Sequence, residues 1–149
     1  LWLTLFRDKI DEIMEQVKCP VAVFVNRQYR EGATISFVLG GMIDLFLFSY
    51  LDKMLQNGHS VRLFLFDTDD EEFRGHIDDL QVRYPEQTMI VWFAGVEDLV
   101  TEEKDGLLIM SHLSYTKLSE DEAVMRELSS LLVIRRNKNT GDKNEGLEN

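Results

Sequence analysis

The stretch ISFVLGGMIDLFLFSYL, residues 35–51, limits what this chain can fold into more than any other. It holds a single charge, Asp44. A helix that crosses a bilayer needs about 20 predominantly apolar residues with few charges. This run is shorter, carries an acid near its middle and is broken by Gly40-Gly41. Its halves also differ in chemistry. ATISFVL, residues 33–39, contains Thr34, Ile35 and Val38, whose branched β-carbons suit a strand. MIDLFLFSYLDKMLQNG places Leu47, Leu51, Met54 and Leu55 at helical spacing and meets a stop at Gly58. The run therefore reads as strand, glycine turn and helix. The strand is apolar on both faces, as a central parallel strand is.

The same alternation continues along the chain. Residues 60–66, SVRLFLF, read as a strand. An acidic turn and a helix follow, with Phe73, Ile77, Leu80 and Tyr84 on its inward stripe. Further strands are expected at residues 88–94, 106–110 and 131–135, with a turn or two of helix after the first and a polar loop, then a helix, after the second. Ahead of all this, residues 4–17 carry Phe6, Ile10, Ile13, Met14 and Val17 on one helical stripe. Pro20 closes that helix, and VAVFV, residues 21–25, is a compact strand. Strands alternating with helices predict an α/β fold, a doubly wound parallel sheet covered on both faces.

Composition narrows the function. The chain has 149 residues, 44% hydrophobic and 29% charged, which suits one globular domain. Its formal net charge of −11 is a poor match for phosphate backbones or anionic lipid, so nucleic acid is not an expected partner. Cys19 is the one cysteine, so no internal disulfide can form, and the sequence has no zinc-like Cys/His spacing. The start turns acidic before any signal-like apolar region builds up, and the chain opens on Leu1, as a piece of a longer protein would.

The order CPVAVFVNR, then ISFVLGG and Asp44, then GHSVRLFLFD, then LLVIRR resembles the cytoplasmic tail of monovalent cation/proton antiporters, which looks like paired universal stress protein domains. Cys19-Pro20 and Asn26-Arg27 match the signature that closes one half, and Gly40, Gly41 and Asp44 match the one that opens the next. The resemblance covers about residues 10–136 through short motifs. It implies a three-layer, Rossmann-like fold of the universal stress protein kind, with parallel strand order 3-2-1-4-5 and residues 33–39 as strand one. Residues 1–26 would be a helix and strand left from a preceding half-domain, 27–32 a linker, 33–136 the α/β domain and 137–149 a mobile polar tail. The implied role is a non-catalytic regulatory domain on the cytoplasmic side of a membrane, attached to a membrane domain of the same polypeptide and associating as a homodimer. A free-standing nucleotide-binding stress protein is the alternative.

Departures from that family bear on ligands. Leu39 stands where nucleotide-binding relatives carry an aspartate, and no glycine follows Met110 until Gly141. Ribose and phosphate contacts of the family are thereby missing, so ATP binding is not expected and no cofactor is assigned. The expected ligand crevice lies at Gly40, Gly41 and Asp44 with Ser111 and His112, where an open α/β sheet changes direction. Gly40-Gly41 could receive an anion at a helix N-terminus, but a tight turn needing positive φ accounts for it as well. Asp44 is expected to cap the first helical turn. The acids Asp67, Asp69, Asp70, Glu71 and Glu72 lack the spaced ligands of a calcium loop and read as helix-start acids, so no metal is assigned. No Gly-x-Ser-x-Gly elbow surrounds Ser111 or Ser114, and His112 is expected on a surface loop. Cys19 reads as a small core residue. Phe46, Phe48 and Tyr50 make the first helix apolar all round, through either core burial or contact with a second chain or with the membrane domain.

The N-terminal strand needs a neighbour, because an isolated strand is not stable. Residues 21–25 are therefore expected antiparallel beside residues 131–135, within the chain or exchanged with a second one, covering an apolar edge. Ile10, Ile13 and Val17 would then pack onto one sheet face.

Overall fold

The computed structural model describes residues 2–66, 68–100 and 104–136, with side chains from Lys9 onward. Phe6, Asp67 and the tail at 137–149, which the sequence reading singled out, lie outside the described residues or side chains. The chain forms an α/β fold around one six-stranded mixed sheet. The strands are β1 (Val21–Val25), β2 (Ile35–Leu39), β3 (Val61–Phe66), β4 (Thr88–Phe93), β5 (Leu107–Ser111) and β6 (Ser130–Arg135), and they lie in the order β1-β6-β5-β2-β3-β4. Strands β2 to β6 pair in parallel, and β1 alone runs antiparallel, against β6, with Val23 opposite Val133. The N-terminal strand therefore covers β6 within the same chain, as the edge argument requires.

The opening run is split as its chemistry demands. Phe37, Val38 and Leu39 of β2 have no exposed surface, which fits a strand flanked by β3 and β5 and covered on both faces. Residues Met42–Leu47 then form a 3-10 helix and pass into α2 (Phe48–Gln56). Leu47, Leu51 and Leu55 point from them into the core. Gly58, at φ 87°, ends α2, with its N–H on the Leu55 carbonyl and the His59 N–H on that of Met54, the doubly bonded Schellman closure. Among the described residues no helix is long and apolar enough to cross a membrane.

Two apolar layers result. Below one face, Phe37, Leu63, Leu65 and Ile109 meet Leu47, Leu51 and Leu55, and Phe73, Ile77 and Leu80 of α3 (Glu71–Arg83). Below the other, Val38, Met110, Leu131 and Val133 meet α1 (Trp2–Gln16), α4 (His112–Leu118) and α5 (Glu122–Glu127). The predicted inward stripe of α3 is met at its first three positions, and Tyr84 is half-buried just beyond the helix.

Several expectations are corrected. From α1 it is Ile10 and Met14 that are buried, while Ile13 is 39% exposed and Val17 lies beyond the helix. The contact stripe is narrower than the sequence pattern, with only Ile10 and Met14, of the described side chains of α1, among the apolar core on that face. No polar loop follows β5, since α4 starts at the next residue. Cys19 is exposed, not a core residue, because it sits in the link between the end of α1 at Gln16 and the start of β1 at Val21. Phe48 packs edge-on against Phe73, Phe46 and Phe48 are both partly buried against the same apolar layer, the exposed Arg136 lies over the Phe46 ring, and Tyr50 faces outward.

Candidate functional site

The carboxyl ends of β2 and β5 lie side by side, and the two segments that leave them meet there. Strand β2 passes into Gly40 and Gly41, and the two glycines serve different physical needs. Gly41 sits at φ 140°, a conformation that side chains disfavour, although a β-carbon there would meet nothing within 4 Å. Gly40 has no such φ. A β-carbon at Gly40 would stand 3.3 Å from Asp44 Oδ2 and 3.5 Å from Ser114 Oγ. Gly41 thus makes the turn and Gly40 leaves room for a carboxylate.

That carboxylate belongs to Asp44, which is fully buried. It does not cap the helix as expected. The 3-10 helix begins at Met42, so Asp44 lies inside it and its side chain turns back: the Gly40 N–H donates to Oδ2 at 2.6 Å. Ser114 Oγ donates to the same oxygen at 3.2 Å from α4. Ser111, the last residue of β5, caps α4 by accepting the Ser114 N–H at 3.2 Å. Asp44 Oδ1 is buried with no hydrogen-bond partner. Gly40, Gly41, Asp44, Ser111 and Ser114 therefore form one connected cluster linking strand, turn and helix.

His112 does not join it. As the first residue of α4 it turns towards α1, where Nε2 donates to Asp11 Oδ1 at 2.9 Å and the ring stacks on Tyr115. The expected surface-loop histidine is instead a half-buried bridge between two helices. Asp11 is the partner that sequence reasoning missed. It is one more acid on the polar side of α1, with no spacing to mark it.

The arrangement disfavours an anion at the glycine turn. The Gly40 amide already donates to Asp44, and a ligand phosphate would face that carboxylate at close range. Among the described residues no group of three or more His, Cys, Asp or Glu could hold a metal ion. Within the acidic run, Asp70 accepts the Phe73 N–H at 3.2 Å as the N-cap of α3, and Glu71 and Glu72 occupy its first turn.

Two arginines of the matched segments, Arg27 in CPVAVFVNR and Arg135 in LLVIRR, make structural contacts that the motifs did not announce. The Arg27 guanidinium binds the carbonyls of Met125 and Leu128 at the end of α5, the latter at 3.2 Å, and its backbone N–H donates to Ser130 Oγ at 2.7 Å. Burial pushes the Arg27 guanidinium below its ordinary pKa, against an opposing effect of Tyr115. Arg135 of β6 binds the carbonyls of Met14, Val17 and Cys19, the last at 2.7 Å, and so fastens the end of α1 to the sheet. An open crevice of about 910 Å³ lies at the opposite end of the sheet, between Tyr29, Thr34, His59, Arg62 and Glu86. Compared with protein-family models, with curated proteins and with solved structures, the chain matches none of them.

Proposed function

We propose that this chain is a non-catalytic regulatory domain of a cation/proton antiporter, on the cytoplasmic side of the membrane and joined to the transporter's membrane domain. The observation that carries the reading is the use made of the Gly-Gly-x-x-Asp motif. Asp44 fills the turn at the carboxyl end of the central strand and holds α4 through Ser114. A turn closed by its own carboxylate suits a module that transmits conformation. It suits a nucleotide cradle less well. Two further features support the reading. The parallel strands lie in the order β4-β3-β2-β5-β6, which corresponds to a universal stress protein-like arrangement 3-2-1-4-5. The CPVAVFVNR segment supplies β1, set against β6 where a paired half-domain would sit. Regulation would act by differential affinity: whatever binds the domain biases the transporter only by preferring one of its states.

Two measurements test this. Calorimetric titration with magnesium-ATP is expected to show no binding tighter than about 1 mM, roughly −4 kcal/mol. Micromolar affinity would overturn the reading in favour of a nucleotide-binding stress protein. Cation/proton exchange by vesicles holding the full-length polypeptide is expected to change when Asp44→Ala is introduced. Exchange identical to wild type, with the variant domain shown to be perturbed, would remove the regulatory role.

A further inference from the structure

A chain of net charge −11 gathers three of its cations at one small crevice. The crevice holds about 250 Å³ and is lined by Arg27, Gln28, Lys104, Arg126 and Glu127. Arg27 follows β1, Lys104 precedes β5 and Arg126 lies on α5, so these segments meet at the end of the sheet away from Asp44. Three basic side chains against one acid leave an excess of two positive charges. Asp105, the neighbouring acid, is turned to Arg30 at 2.6 Å. Lys104 Nζ donates to the Glu127 carbonyl at 2.8 Å and lies 3.5 Å from the Glu127 carboxylate, so that acid is matched by the lysine. The two guanidiniums have no such match. Arg27 commits Nη1 to the neutral carbonyls of Met125 and Leu128, while its Nε and Nη2 keep contact with solvent. Burial lowers its pKa, with Tyr115 opposing, as expected of a desolvated cation with no carboxylate beside it. Arg126 is exposed and makes no hydrogen bond or ion pair among the described residues. Capping the carbonyl end of α5 accounts for Arg27 Nη1 and for Lys104, but not for the rest of the group.

We propose that this crevice binds a small, doubly charged oxyanion of the phosphate class, held by the guanidiniums of Arg27 and Arg126 with Lys104 adding charge. A guanidinium offers a planar fork of N–H donors that fits two oxygens of a phosphate, whereas an ammonium acts as a point charge. A dianion equals the excess charge of the lining, and a single carboxylate would leave half of it unmatched. Gln28 holds φ 68°, the left-handed region that residues other than glycine seldom occupy. Such a conformation persists where its surroundings fix it, and it recurs at ligand clamps. Size limits the ligand. Pockets for drug-sized molecules run to about 300–1,000 Å³, so this one suits a phosphate group and not a nucleotide. The crevice is open, so salt screens the contact, and a dissociation constant of about 1–10 mM is expected. The glycine turn, where Asp44 opposes an anion, is a different place. The proposal stands independently of any transporter.

Titration of inorganic phosphate into the full chain at about pH 8, where phosphate groups are doubly charged, tests it by nitrogen–proton NMR. Sodium chloride holds the ionic strength constant. Saturable shifts are expected at the side chains of Arg27 and Arg126 and at the Gln28 amide. Arg126→Gln, at an exposed position, is expected to weaken binding about tenfold, a change of about 1.4 kcal/mol. Glu127→Gln removes the acid that competes for Lys104 and is expected to tighten binding. Lys53→Gln removes one positive charge from an exposed site on α2 and is expected to leave the midpoint unchanged. Glycerol phosphate separates two sources of the same chemistry. Tighter binding than inorganic phosphate assigns the crevice to a phosphorylated group on a larger molecule, and equal or weaker binding assigns it to free phosphate. Shifts that do not saturate, or that sodium chloride alone reproduces, would overturn the proposal. So would a midpoint unmoved by Arg126→Gln, one moved as far by Lys53→Gln, or binding weakened by Glu127→Gln.

Discussion

Asp44 shows how one side chain can join three pieces of backbone. Its Oδ2 receives the buried Ser114 hydroxyl and the amide of the more exposed Gly40. Asp44→Ala would leave the buried Ser114 hydroxyl unpaired, which costs about 1–3 kcal/mol, while Gly40 is exposed and adds less. A loss of about 1–3 kcal/mol is therefore expected in urea unfolding. A loss under about 0.5 kcal/mol, ordinary for a surface site, would show that the cluster is dispensable. The adjacent glycines separate two kinds of strain. Gly41→Ala should cost about 1–3 kcal/mol from φ alone, since there is space for the methyl group. Gly40→Ala should act through the carboxylate, so its penalty should shrink in the Asp44→Ala background, while that of Gly41→Ala should not. A double-mutant cycle reads this directly.

At the scale of elements, β1 and α1 form a unit that the rest of the fold holds through few fastenings. Strand β1 exchanges ladder bonds with β6, Ile10 and Met14 pack beneath it, and Arg135 binds three carbonyls at the end of α1. Removing residues 1–26 would uncover β6, whose Leu131 and Val133 are almost fully buried in the intact chain. Light scattering is expected to show aggregation of the truncated chain. A truncated chain that stayed monodisperse and melted at the same temperature would contradict the covering role of β1. Arg135→Ala is the milder counterpart. It leaves β6 paired but frees the carbonyls at the end of α1, so amide exchange should quicken in α1 while β2 and β3 remain protected.

For the whole molecule, burial is greatest at the centre of the sheet and falls towards its ends. β2 is closed on both faces and both edges, and β4 and β1 carry exposed apolar residues. The slowest-exchanging amides should therefore lie in β2, β3 and β5, with global unfolding needed to open them. The burial of Phe37, Val38, Leu39, Leu47 and Leu51 within the 35–51 run predicts a chain that purifies without detergent and shows mixed α/β circular dichroism. Recovery from detergent alone would contradict the strand–turn–helix assignment.

Local chemistry determined the elements of this protein. The branched residues around Ile35, the glycine pair, the 3.6-residue stripes at Leu47 and Phe73, and Pro20 before VAVFV each act within a few residues of chain, so period and backbone preference were legible. The need of β1 for a partner was legible too, because an apolar strand cannot stand alone. What each side chain does at the site was decided only by contacts between distant segments. Asp44 meets Ser114 and His112 meets Asp11 across 70 and 101 residues of chain. Capping and reaching back are both open to an aspartate at that spacing, and the choice fell to the 3-10 helix that carries it to Gly40. Ile13 and Met14 are equally apolar in the sequence. Which of them is buried depends on where α1 crosses the sheet, a property of the packed molecule and of no local segment.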